Sequence, residues 1–368
     1  MSERGKTGPL SDPHGEDDRA AQAAGAGAPS GRGGPERTED PDVPDGPTEM
    51  APKSWWSAVK RTVAEYKDDN LGDWAAALTY YSVLSIFPAM LVVVSVIGLG
   101  GKSVSQDLIT NVGDMAPGSV KQVLTDALTQ LQRGRGGASV AALAGLAAAL
   151  WSASGYVGAF MRASNAVYDV PEGRPIWKTL PLRMGITVVT LVLLSVSVMA
   201  VVITGPLARK AGDMIGLGSA AVTTWDIVKW PVLLLVVSFL FALLYWASPN
   251  AKQGFRWVSP GSVLALLMWL AASAVFAFYA SNFSSYNKTY GSLAGIIIFL
   301  VWLWITNTAI LLGAELNAEL ERGRAIAAGT PPTQEPYVEP RDTRALDEAE
   351  RDALNTTEHP EHPEHRRP

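Results

Sequence analysis

Charged and ionisable residues withdraw completely from six stretches of the chain. No Asp, Glu, Lys, Arg or His lies in 74–101, 136–161, 184–208, 230–251, 257–287 or 289–314. Each run exceeds the ~20 apolar residues that a helix needs to cross hydrocarbon. One charge at the bilayer centre costs about 2.5–3.5 kcal/mol even on lenient insertion scales, so six such runs read as membrane spans. The pattern predicts an all-α, polytopic membrane protein with six transmembrane helices, at about 74–100, 138–161, 184–207, 228–246, 259–281 and 292–314.

The segments around the spans are patterned as well. Trp55, Val59, Val63 and Tyr66 recur at helical spacing, with Lys53, Lys60, Arg61 and Lys67 available for the opposite side. This is the pattern of a basic amphipathic helix lying in the headgroup layer, and a short helix packed on the bundle is the alternative. Between the first two spans, Val104, Leu108 and Val112, then Val120, Val123, Leu124, Ala127, Leu128 and Leu131, predict two short helices on the outer face. Lys and Arg near the membrane number twelve on the side of the N-terminus and eight on the other, which places both termini in the cytoplasm. The first apolar run starts beyond residue 70 and is too long for a signal-peptide core, so the first span is expected to direct insertion.

Composition refines this picture. The chain is 48% hydrophobic and 18% charged, yet its mean hydropathy is only +0.13, because two polar tails dilute the apolar middle. Residues 1–52 and 325–368 lack the apolar content to offset the entropy of ordering and are expected to be disordered, which leaves 53–324 as the membrane domain. Cysteine is absent, and the four histidines, His14, His359, His362 and His365, all lie in the tails. No metal site and no cofactor is therefore expected. The spans hold no P-loop, dinucleotide turn or nucleophile elbow, and no basic patch interleaved with aromatics that would bind nucleic acid. Without His, Asp, Glu or Lys in the apolar runs, an intramembrane hydrolase has no base.

Neutral polar residues are the remaining candidates. Thr79, Tyr80, Tyr81, Ser82 and Ser85 on span 1, Ser152, Ser154 and Tyr156 on span 2, and Thr306, Asn307 and Thr308 on span 6 would line a cavity or hydrogen-bond across helices. Asn307 is the least comfortable in lipid and needs a partner on another helix. Pro88 should kink span 1 and free the Leu84 carbonyl, for which Ser82 or Ser85 could substitute as partner. Span 2 is built from small residues that allow close approach, which suggests a central position. Its Gly145 and Gly155 surfaces would serve equally to pair protomers or neighbouring helices. Asp73, Arg162, Arg183 and Glu315 all fall at the cytoplasmic ends of spans, joined by Asp169 in the loop. They suggest an ion-pair ring or a gate, with Glu315 at a helix C-terminus needing a cationic partner.

The run Ala77-Leu78-Thr79-Tyr80-Tyr81-Ser82-Val83-Leu84-Ser85-Ile86-Phe87-Pro88 resembles the first-span signature of the BrkB/YihY family, once labelled ribonuclease BN-like. The blocks Asn165-Ala166-Val167-Tyr168, Pro249-Asn250, Tyr286-Asn287-Lys288-Thr289-Tyr290-Gly291-Ser292-Leu293 and Leu311-Leu312-Gly313-Ala314-Glu315-Leu316-Asn317 agree in order and spacing, over about 54–324. Asn165, Tyr286 and Tyr290 join the candidate polar set through these blocks. The resemblance implies a multi-pass bacterial inner-membrane protein whose nuclease label is a misassignment and whose proposed roles lean toward export or flipping of lipids or small molecules. The expected function is non-enzymatic movement of a lipid or other amphiphile. The rivals are a scaffold for an envelope assembly complex, with a protein partner or a second copy, and, last, a membrane ribonuclease.

Overall fold

The computed structural model describes residues 52–99, 140–202, 219–282 and 287–358. The expected outer-face helices in 101–137 and the N-terminal tail lie outside the described residues, as does Tyr286. The described chain is helical: α1 (Pro52–Asp68), α2 (Leu71–Leu99), α3 (Val140–Val167), α4 (Ile176–Val202), α5 (Ser219–Ala247), α6 (Pro260–Asn282), α7 (Asn287–Ala327) and α8 (Glu348–Glu358). Among the described residues, four stretches are long and apolar enough to cross a membrane: Ile176–Val201, Val222–Ala247, Pro260–Tyr279 and Gly295–Ala327. α2 and α3 are also long, at 29 and 28 residues.

Helix ends follow local chemistry. Asn70 and Asp169 sit at φ 53° and 51°, and Gly329 at φ 101°. Each is the left-handed residue that stops a helix. Asp169 N–H bonds Ala166 O and Val170 N–H bonds Asn165 O, while Gly329 N–H and Thr330 N–H repeat the arrangement on Ile326 O and Ala325 O. These bonds satisfy carbonyls that the helix leaves without partners. α2 runs through Pro88 as one helix. The Ser82 and Ser85 hydroxyls donate to the carbonyls of Leu78 (2.8 Å) and Tyr81 (2.7 Å) rather than to that of Leu84, because a hydroxyl on a helix reaches the carbonyl four residues back.

The buried core occupies one end of the bundle. It takes the start of α2 (Leu71, Ala75, Leu78), the last half of α3 (Val157, Phe160, Ala163, Val167), the end of α5 (Phe241, Leu244, Tyr245), Ala265 of α6, and Ile310, Leu311, Ala314 and Ala318 of α7. We call this the basal end. Gly261 and Gly313 cross there so closely that a methyl group on either would overlap the other's carbonyl oxygen. At the upper end the same helices are uncovered. Gly295, Ile296 and Ile297 of α7 are all exposed, as are Ala147, Ala148, Trp151 and Ser152 of α3. Successive residues point about 100° apart, so a consecutive exposed trio leaves no face of that turn covered.

One expectation is corrected here. The segment after residue 325 is not a free tail: α7 runs to Ala327, and Val338, Asp342 and Leu346 are buried. Its polar composition suggested solvation, but its backbone and charged side chains find partners on the basal loops. Ala251 bridges Pro340, Lys252 N–H bonds Glu339 O (2.8 Å), and Ala345 N–H bonds Gly173 O (2.9 Å). α1, left open between a headgroup-layer helix and one packed on the bundle, docks on α7 through Ala58 against Leu316 and Leu320, with Trp55 of its apolar stripe packed there as well. Val59 and Val63 of the same stripe stay exposed.

A buried polar node and a basal knot

Two polar constellations stand out, one inside the bundle and one beneath it. Inside, Asn307 of α7 is 2% exposed. Its amide donates to Thr79 Oγ1 of α2 (3.1 Å), and its carbonyl accepts from the Tyr156 hydroxyl of α3 (3.0 Å). Thr79 passes its own proton to Ala75 O (2.8 Å). Tyr245 of α5 donates to Ile310 O one turn below Asn307 (2.7 Å), and Phe160 stacks between Tyr156 and Tyr245. Four helices are thus tied at one level, where the packed basal half meets the open upper half.

The candidate residues of span 1 and span 2 separate on inspection. Thr79 and Asn307 come together, and Tyr156 completes the node. Tyr81 is half-buried beside Gly155, whereas Tyr80 is 61% exposed on the outer surface and Ser152 is exposed as well. Tyr290 lies in the first turn of α7.

Beneath the bundle, Asn165 and Asn250 organise the second constellation. Asn165 accepts the Asn250 backbone N–H (2.7 Å) and donates to Glu172 (3.0 Å). The Asn250 side chain donates to Pro171 O (2.9 Å) and Asp342 O (2.8 Å), and accepts the Asp342 N–H (3.2 Å). Buried Arg174 grips Glu172 and the terminal carbonyls of α5, at Ala247 and Ser248. Gly173 has no room for a side chain, since a Cβ would strike the Asp342 backbone. Asp342 ties the strap to α4 by bonding Lys178 (2.8 Å) and Arg344 (2.7 Å), and these cations hold its carboxyl well below the usual range. Asn165 was legible as a candidate. Asn250 appeared only as part of a motif, and the strap residues gave no signal, because their partners lie some ninety positions away.

Asp73, Arg162, Arg183 and Glu315 do not form a ring. Asp73 is exposed in the first turn of α2, where an acid suits the helix dipole. Arg162 donates to Gly158 O (3.1 Å), and Arg183 reaches Ser154 O (2.8 Å) and its hydroxyl (2.9 Å) while covering the Trp151 ring. Glu315 is not at a helix C-terminus, since α7 continues to Ala327, and the group beside it is the carboxyl of Asp69 rather than a cation. The charge network at this level is instead Arg61–Glu319 and Arg322 with Glu65 (3.1 Å), Glu319 (3.4 Å) and Glu335 (3.0 Å).

A cavity of about 70 Å³ opens at the base between Tyr168, Trp246, Gln253, Arg256, Asn317 and Arg324. It has room for about two waters at ~30 Å³ each and none for an acyl chain. Among the described residues no group of three or more His, Cys, Asp or Glu could hold a metal ion.

The family model described as Virulence factor BrkB matches residues 62–337, which contain the polar node and all of the knot except its strap. A putative ribonuclease-like protein, YfkH, of Bacillus subtilis is 31% identical over 263 residues, 72% of this chain and 93% of that protein. A UPF0761 membrane protein of Xanthomonas campestris pv. campestris is 28% identical over 272 residues, 70% of this chain and 59% of its own length. A UPF0761 membrane protein of Mannheimia succiniciproducens is 37% identical over 89 residues, 24% of this chain and 31% of its own length. No solved structure matches. With apolar helices of membrane length and a match over most of its residues, the chain belongs to the BrkB family of membrane proteins.

Proposed function

We propose that this protein crosses the bacterial cell membrane six times, with the basal end and both termini in the cytoplasm, and that it moves a lipid or similar amphiphile rather than catalysing a reaction. α2 and α3 complete the set of spans, because their apolar runs are charge-free for 28 and 26 residues. α1 lies at the headgroup level, presenting exposed Trp56 and Val63 beside Lys60. The observation that carries the reading is the asymmetry of packing. The described core is packed at the base, while α3 and α7 are exposed above the Asn307 node. An exposed apolar surface around one neutral polar node suits a chain-bearing molecule better than an ion. The absence of a basic residue able to act as a general base in the apolar runs argues against the nuclease wording attached to the Bacillus relative.

The full chain in liposomes should scramble a labelled lipid, and Asn307→Ala should slow it several-fold by freeing Thr79 and Tyr156. Failure of the wild type to move either phospholipids or lipid-linked precursors removes the reading. One observation favours a scaffold instead: every polar group of the node is already satisfied within the bundle. Crosslinks placed in 101–137 that capture a stoichiometric envelope protein, in a chain that moves no lipid, would establish that alternative.

A further inference from the structure

The turn between α1 and α2 carries Asp69 against the side of α7, with its carboxyl beside that of Glu315. Two carboxylates held together away from water repel each other, and one proton between them removes that cost. Glu315 is 1% exposed, and its Oε2 has no partner of its own. The cations that could have neutralised the pair are committed elsewhere, Arg61 to Glu319 and Arg322 to Glu65, Glu319 and Glu335. The groups facing the pair are otherwise acidic or phenolic: Glu65 and Asp68 from α1, Glu319 from α7, Tyr168 and Asp169 after α3, and Glu335 and Tyr337 after α7.

We propose that Asp69 and Glu315 form a proton-binding site at the base of the bundle, holding one proton between two carboxyl groups, and that α7 docks fully against the α1–α2 corner only while that proton is bound. The ligand is the proton itself: the O–H bond on one carboxyl is kept while the second carboxylate accepts its hydrogen bond, and release to solvent leaves two negative charges in a buried contact. Burial, with Glu65, Asp68 and Glu319 nearby, pushes Asp69 up to about 6, against the lowering effect of its bond to Glu315. Because α7 also carries Asn307, movement at the pair reaches the polar node along one rigid helix. The site stands whether or not the protein moves an amphiphile.

The test uses the full chain in lipid nanodiscs. Infrared difference spectra across an alkaline titration should show a protonated carboxyl signal that is lost in both Glu315→Gln and Asp69→Asn. Protection factors over 61–74, taken relative to the intrinsic exchange rate at each pH, should fall about tenfold per pH unit once the wild-type proton leaves, as linkage requires, and should not change with pH in either variant. Asn at 69 keeps a neutral donor in the contact, so it serves if Glu315→Gln does not fold. A carboxyl signal that persists in both variants overturns the proposal. So do wild-type protection factors that ignore pH, or that follow Na⁺ or K⁺ concentration instead.

Discussion

The two ends of the bundle are made of the same helices and held by different means. At the base, the end of α3 with the loop after it, the loop after α5 and the strap interlock: Asn165, Asn250, Arg174 and Asp342 join segments far apart in sequence, and Gly261 meets Gly313 backbone to backbone. At the upper end the described part of α3 exposes Ala147, Ala148 and Trp151 and that of α7 exposes Ile296 and Ile297, and the Asn307 node marks the boundary. The contrast shows where this fold keeps its rigidity. In hydrocarbon, apolar surface gains little from meeting other apolar surface, so tight association depends on small residues and hydrogen bonds. Among the described residues, the closest small-residue contact, Gly261 against Gly313, and the Asn165–Asn250 network lie at the base.

That comparison can be broken most severely at the α6–α7 crossing. Gly261→Ala should cost about 3 kcal/mol or more, because two backbones must separate, and should lower the thermal melting point in detergent sharply. Gly295→Ala, which meets nothing within 4 Å at the upper end, should leave the melting point unchanged or raise it. Equal losses from both would mean that the two ends are packed alike. Next in size is Asn250→Ala, which leaves buried partners on the 171 loop and the strap unsatisfied. A cost of about 2–3 kcal/mol is expected. Limited proteolysis should then cut within 330–347 while α2, α3 and α7 stay protected, which would separate the knot from the node.

The smallest effect concerns Asp342. Its carboxyl titrates below the usual value because Arg344 and Lys178 bond its charged form. The stability it contributes is therefore present above the ordinary carboxylate pKa of about 4 and is lost as pH falls from there toward the depressed value. Protection of the strap should weaken on acidification in the wild type, and Asp342→Asn should remove that dependence while lowering protection at neutral pH. Both cations are about half exposed, so solvent screening keeps the change modest.

Much of the scaffold could be read before any coordinates. Six charge-free runs predicted helices, and each of α2 to α7 takes up the larger part of one of them, although α4, α5 and α7 extend well past the apolar limits through Trp177, Trp225 and Glu319. Charged or aromatic residues can continue a helix once it leaves the bilayer, and hydropathy does not register that continuation. Asn307 was legible because an amide in hydrocarbon must be bonded, but Tyr156 as its acceptor-side partner was one of several candidates. Glu315 was misread: it appeared to close a helix, whereas α7 carries it mid-length into contact with Asp69.

The sequence alone determined that the chain is helical and belongs in a membrane, since the penalty for charge in hydrocarbon and the length of a spanning helix act locally and leave their record residue by residue. The tertiary structure decided which face of α1 docks, where the strap runs, which polar residues meet and which stay exposed. Those outcomes depend on contacts between residues tens to hundreds of positions apart, whose energies are set by geometry that no local pattern encodes.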